Sequence, residues 1–227
     1  MRRAALLGLA ALLLVAAERR TAGAPDRGYG LLGPLGPPLA QAQFVRARLA
    51  REAGLEGRCL ARMQAGLALD PGSLSGRLAL ADLMGLTLSS AEGGRPGTER
   101  RAWLEEALAL LEDEAARLEA RGEALPRNDD HATSGRGPDP VEHGDHAHPR
   151  TVAPSDPVER AGLLRFHAGL LLMAHAETDP DLPWAGGAAG LWLAAAARFH
   201  DAAGLGHPDA GAAEAYALRQ AEAPTRE

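Results

Sequence analysis

The chain has 227 residues, with 30 acidic side chains against 24 basic ones and a formal net charge of −6. That acidic balance leaves no basic excess to neutralise phosphates, and aromatics at 4% leave few stacking platforms, so composition excludes a nucleic-acid binder. Isoleucine is absent, valine is scarce, and alanine and leucine dominate, which leaves little to build strands from. The single cysteine excludes an intramolecular disulfide.

Residues 1–24 read as a targeting segment. Arg2 and Arg3 precede an uncharged apolar run from Ala4 to Ala17, and Ala22, Gly23 and Ala24 offer a small-residue cleavage site. As a helix, a run of that length covers about 21 Å, short of the ~30 Å hydrocarbon core. Glu18, Arg19 and Arg20 follow the run and point the other way, so a cleaved signal peptide and a short membrane anchor both fit. Residues 25–38 form a Gly/Pro-rich linker. Gly28, Gly30 and Gly33 spell G-x-G-x-x-G there, but no strand precedes them and Pro34 follows, so the glycines have no βαβ unit to serve.

The stretch from Leu39 to Pro71 predicts two short helices. In the first, Gln41, Phe44, Arg48 and Arg51 share one side while Val45 and Leu49 form a narrow apolar stripe beside them. Gly54 and Gly57 bracket the break. In the second, Cys59, Met63 and Gly66 recur at i, i+4 and i+7, a contact face small enough for close helix packing, and Asp70-Pro71 stops the helix. Cys59 on that face reads as a small buried hydrophobe rather than a reactive thiol.

This pattern resembles a tetratricopeptide repeat, a helix-turn-helix unit of about 34 residues. The matching positions are Gly54 at the turn, Cys59, Met63 and Gly66 as the small, bulky, small series, and Leu67, Leu69, Asp70 and Pro71 as the ending. Phe44 stands one place off the expected aromatic, and Ala47 stands where glycine is usual. A weaker echo, Ala195, Phe199 and Ala202 followed by Pro208, occurs late in the chain. The resemblance implies a solenoid whose first helix lines a concave groove, placing Gln41, Arg48 and Arg51 against a partner segment. Arginine forks suit an acidic or C-terminal carboxylate there.

Further on, Leu74 to Leu88 predicts a third helix with a broad apolar face. Thr98 is placed to cap a fourth that runs to about Arg121, with Trp103, Ala107, Leu110, Leu111 and Leu118 as its stripe and Glu105, Glu106, Glu112 and Asp113 as solvated positions. Residues 126–154 break the periodicity with five prolines and no apolar period, the composition of a disordered insert. Within them His143, His146 and His148, near Glu142 and Asp145, form a tract that could converge on Zn²⁺ or Cu²⁺ weakly, without the helix spacing of a metalloprotease.

Asp156, Pro157 and Glu159 start a fifth helix with a cap, a proline at the first position and a carboxylate three residues after the cap. Its His167 and His175 lie two turns apart, too far to share one metal ion unaided, and read as satisfied structural histidines. A sixth helix is predicted over Ala188 to Ala203 and a short one around Glu214 to Ala221. Gly72 to Gly76 reads G-S-L-S-G, with leucine where a nucleophile elbow needs serine.

The sequence therefore predicts an all-α, tetratricopeptide-like helical-hairpin solenoid in two parts, 39–125 and 155–227, behind an N-terminal targeting or anchor segment and interrupted by the His/Pro-rich insert. The function it suggests is a non-enzymatic scaffold in the cell envelope that binds another protein, needs no cofactor, and touches the membrane only through its N-terminal segment. A second reading is an envelope metal-binding protein that uses the His tract.

Overall fold

The computed structural model describes residues 35–124 and 156–223, and these are helical, with no strand among them. The predicted segment 1–24, the glycines at 28–33 and the tract His143, His146 and His148 lie outside the described residues. The chain divides into two compact units at Leu80/Ala81.

The first unit is a helical hairpin with the start of a third helix. Helix α1 (Gly36–Glu52) opens three residues ahead of the predicted Leu39, because prolines in the first turn give up only N–H groups that have no helical partner anyway. It ends at Gly54, φ 68°, where Leu55 N–H donates to Ala50 O and Gly54 N–H donates to Arg51 O. That crossed pair needs a left-handed residue, which glycine supplies without a Cβ clash. Helix α2 (Glu56–Leu69) buries the expected Cys59, Met63 and Gly66. On α1 the buried positions are Gly36, Ala40 and Ala47, while Val45 and Leu49 are 52% and 58% exposed. The small face of α1 turns inward, and its predicted apolar stripe faces out. Phe44 completes the packing. A Cβ at Gly66 would stand 2.4 Å from its ring, and one at Gly76, in helix α3 (Leu74–Asp82), 2.3 Å from it. Two glycines thus form the socket for one aromatic knob.

In the second unit the helix continues from Asp82 as a wider turn over Leu83–Leu88, whose closing bond runs from Ser89 N–H to Met84 O, five residues back. The predicted third helix therefore has the right extent but changes its winding at the end. Helix α4 (Gly97–Ala124) begins one residue before Thr98, with Glu99 and Arg100 N–H donating to Pro96 O, so Thr98 sits inside the first turn and not at the cap. Its core side is Leu104, Ala107, Leu108, Leu111, Ala115 and Leu118. Trp103 and Leu110, placed in the stripe by sequence, are half-buried at its margin.

Helix α5 (Pro157–Thr178) starts as predicted, with the Asp156 carboxylate accepting from Val158 N–H at 2.8 Å. Helices α6 (Gly187–Gly204) and α7 (Ala210–Glu222) follow after short connections. The principal packing in this unit is serial, α4 on α5, α5 on α6, α6 on α7, with the wide turn against α4 and α5. The end of α6 repeats the arrangement at the end of α1: Gly206, φ 84°, lets His207 N–H reach Ala202 O and Gly206 N–H reach Ala203 O. No helix among the described residues is long and apolar enough to cross a membrane.

Candidate functional site

Three places gather polar chemistry or unusual exposure. The first is buried in the second unit and centres on His175, 3% exposed. An ordinary α-helix would pair Gly85 O with Ser89 N–H, but the wide turn sends that N–H to Met84 O and so releases the Gly85 carbonyl. His175 Nε2 takes it at 2.7 Å. A carbonyl only accepts, so Nε2 carries the proton, and Ser89 Oγ shares the same N–H at 2.9 Å. Nδ1 is then the lone-pair nitrogen, and it is buried without a partner. Burial pushes the His175 pKa down. The Gly85 bond and the Asp179 carboxylate oppose that shift, and the Arg100 guanidinium assists it. A charged imidazole would carry an unsatisfied Nδ1–H in the core, so the ring stays neutral.

One turn on, Asp179 caps α5 by donating its N–H to His175 O, and its carboxylate pairs with Arg100. The two side chains are only 8% and 12% exposed. Serine, histidine and aspartate lie close here, but Ser89 is fully buried, and the Asp179 carboxylate goes to Arg100 while Nδ1 has no partner. The orientation that a nucleophilic triad requires is not made. The cluster ties the wide turn, α4 and the end of α5 together.

The second place is an open pocket of about 290 Å³ lined by Glu119, Arg165, His200, Asp201, Gly204 and Leu205. Arg165 donates through Nε to Glu119 at 2.7 Å and through Nη1 to Asp201 at 3.1 Å. The Glu119 bond, aided by the nearby carboxylates, pushes its pKa above the usual arginine value despite burial. With its one cation spoken for twice, the pocket offers an arriving anion little. Nearby Arg198 Nε holds Glu112 at 2.6 Å. That corrects the reading of Glu112 as a merely solvated position, whereas Glu105, Glu106 and Asp113 are exposed as expected.

The third place is the outer side of α1. Gln41, Arg48 and Arg51 are all exposed there. Arg48 Nε pairs with Glu52 one turn on, at 3.0 Å, so part of the charge offered to a partner is met within the helix. Cys59 is buried as expected, and burial raises its thiol pKa, which keeps it protonated and unreactive. His167 finds Asp82 Oδ1 at 2.7 Å. His207, which the sequence gives no reason to single out, stacks on Phe166 with centroids 4.0 Å apart, and its buried Nδ1 has no partner. No group of three or more His, Cys, Asp or Glu that could hold a metal occurs among the described residues. No protein-family model, curated protein or solved structure matches the chain.

Proposed function

We propose that the protein is a non-enzymatic helical-repeat scaffold of the cell envelope that presents a helix surface to another protein. The observation that carries this reading is the serial packing of α4 to α7, each helix laid on its sequence neighbour, together with matching glycine turns at the ends of α1 and α6. The buried pairs Ser89–His175 and Arg100–Asp179 serve to hold the wide turn, α4 and α5 together, although His175 Nδ1 and Arg100 Nε have no partner. The apolar run Ala4–Ala17 behind Arg2 and Arg3 supports placement in the envelope. The partner-facing residues in this reading are Gln41, Arg48 and Arg51, and the ligand is an acidic or carboxylate-ended segment.

The test is co-purification of the full chain from its native envelope with identification of what accompanies it, compared with the double reversal Arg48→Glu/Arg51→Glu. A discrete protein lost on reversal, at unchanged melting temperature, supports the reading. A companion retained at full strength removes these arginines from the binding surface.

A further inference from the structure

Helix α5 holds the wide turn Leu83–Leu88 at both ends, each time through a histidine. Asp82, where the turn begins, meets His167 Nε2 at 2.7 Å. Gly85 O and Ser89 Oγ, where it closes, meet His175 Nε2 at 2.7 Å and 2.9 Å. The two grips differ in what they tolerate. The Asp82 carboxylate answers a charged imidazole as well as a neutral one, whereas the buried site of His175 suits only the neutral ring, because Nδ1 has no partner there. The charges that act on His175 are the Asp179 carboxylate, one turn along α5, and the Arg100 guanidinium of α4, and these two are paired with each other. Arg95, ahead of α4, donates to Leu88 O, the exposed Glu177 accepts from Tyr216 of α7, and α6 carries no charged residue before Arg198. The one carboxylate acting on His175 is thus already engaged, and the ring can charge only by leaving its site.

What that departure does to the chain follows from the hydrogen bonds of the turn. Two donors compete for Gly85 O: His175 Nε2–H, across the helix interface, and Ser89 N–H, four residues on in the same helix. In the wide turn Ser89 N–H goes to Met84 O, so Gly85 O depends on the histidine. In ordinary α winding Ser89 N–H serves Gly85 O itself, and no side chain is required. Either winding leaves the buried carbonyl met, but a wide turn without His175 does not. A wide turn holds one residue more than α winding over the same span, and the exposed residues Ala91–Gly94 follow closely enough to take up that slack.

We propose that the wide turn is a two-state switch thrown by the charge on His175: wide while the ring is neutral and seated, α-wound once the ring is charged and out of the core. Burial, which holds the pKa of that ring below the usual 6.5, sets the change on the acid side of neutrality. His167 keeps its grip on Asp82 in both states, so the change falls on the closing end of the turn, at Leu88 and Ser89. Leu86, 43% exposed within the turn, moves with it, and the surface it forms differs between the two states.

The test reads the hydrogen-bond partner of the Ser89 amide directly, by nitrogen–carbonyl scalar coupling across the hydrogen bond in the isotope-labelled full chain, at about pH 7.5 and about pH 5. The expected partner is the Met84 carbonyl at the higher pH and the Gly85 carbonyl at the lower, in step with the charge on His175 read from its ring nitrogens. His175→Gln, whose amide donates but does not charge, should keep Met84 at both values. His175→Leu, which offers no donor, should show Gly85 at both. The glutamine arm stands whether or not the leucine variant folds. The proposal is overturned if Ser89 stays on Met84 while the ring is charged, or if the ring is still neutral at the lower pH. It is equally overturned if the chain unfolds as a whole before the partner changes, or if the glutamine variant changes partner with pH.

Discussion

Replacing Gly66 with alanine tests whether Phe44 and its two glycines are the packing device of the hairpin. The new Cβ would meet Phe44 Cε1 at 2.4 Å, Cδ1 at 2.8 Å and Cζ at 2.9 Å, all inside the closest approach that carbon atoms tolerate. Gly76 of α3 also lies close to the ring, at a position where an added Cβ would stand 2.3 Å from Cζ, so backbone flanks Phe44 on both sides and limits how far the ring can shift. Overpacking of this kind costs about 1–3 kcal/mol. Alanine in a helix interior returns about 1 kcal/mol relative to glycine. The net expectation for Gly66→Ala is a loss of up to about 2 kcal/mol. In a Phe44→Ala background the obstacle is gone, so the same substitution should stabilise by about 1 kcal/mol. The sign should therefore reverse between backgrounds, with a coupling energy of about 1–3 kcal/mol. Urea unfolding of the four proteins, followed by circular dichroism, measures it. Gly66→Ala stabilising in both backgrounds, or costing the same in both, would refute the knob-and-socket account.

Two further outcomes follow from the buried cluster. Arg100→Met should destabilise by about 3 kcal/mol, because it strands a buried carboxylate, whereas the paired change with Asp179→Asn should recover much of that in chemical denaturation. Burial lowers the pKa of His175 and of His207 below the usual 6.5, so below that pH the unfolded chain binds protons that the folded one refuses. Stability should therefore hold above pH 6.5 and fall as pH drops through it. His175→Gln, whose amide can still donate to Gly85 O, should make denaturation midpoints between pH 7.5 and about 5 less pH-dependent, and an unchanged slope would remove His175 from the account.

Helix extents were legible where a local rule fixes them. Asp156 and Pro157 announce α5 because a side-chain acceptor and a pre-set φ act within one turn, and Gly54 announces the end of α1 for the same reason. Which side of α1 is buried was not legible. A 3.6-residue period shows that Val45 and Leu49 share a side, but α1 has two apolar sides, one of alanine and one of leucine. The glycines across from it decide the matter by admitting Phe44 and drawing the alanine side close.

The buried cluster was legible only in fragments. Nothing in the string Leu83–Leu88 distinguishes a five-residue closing bond from a four-residue one, because six residues are too few to show a change of period. Gly85 was the available signal. A Cβ there would lie 2.9 Å from Leu171 Cδ1 and 3.3 Å from Ala107 Cβ, so α4 and α5 can close on the turn only where that residue has no side chain. Once they close, the carbonyl released by the wide turn is buried and must be met. His175, 90 residues along the chain, is the group that meets it. The histidine therefore reads as structural from its isolated spacing, but its neutral charge state and its link to pH follow only from which carbonyl it answers.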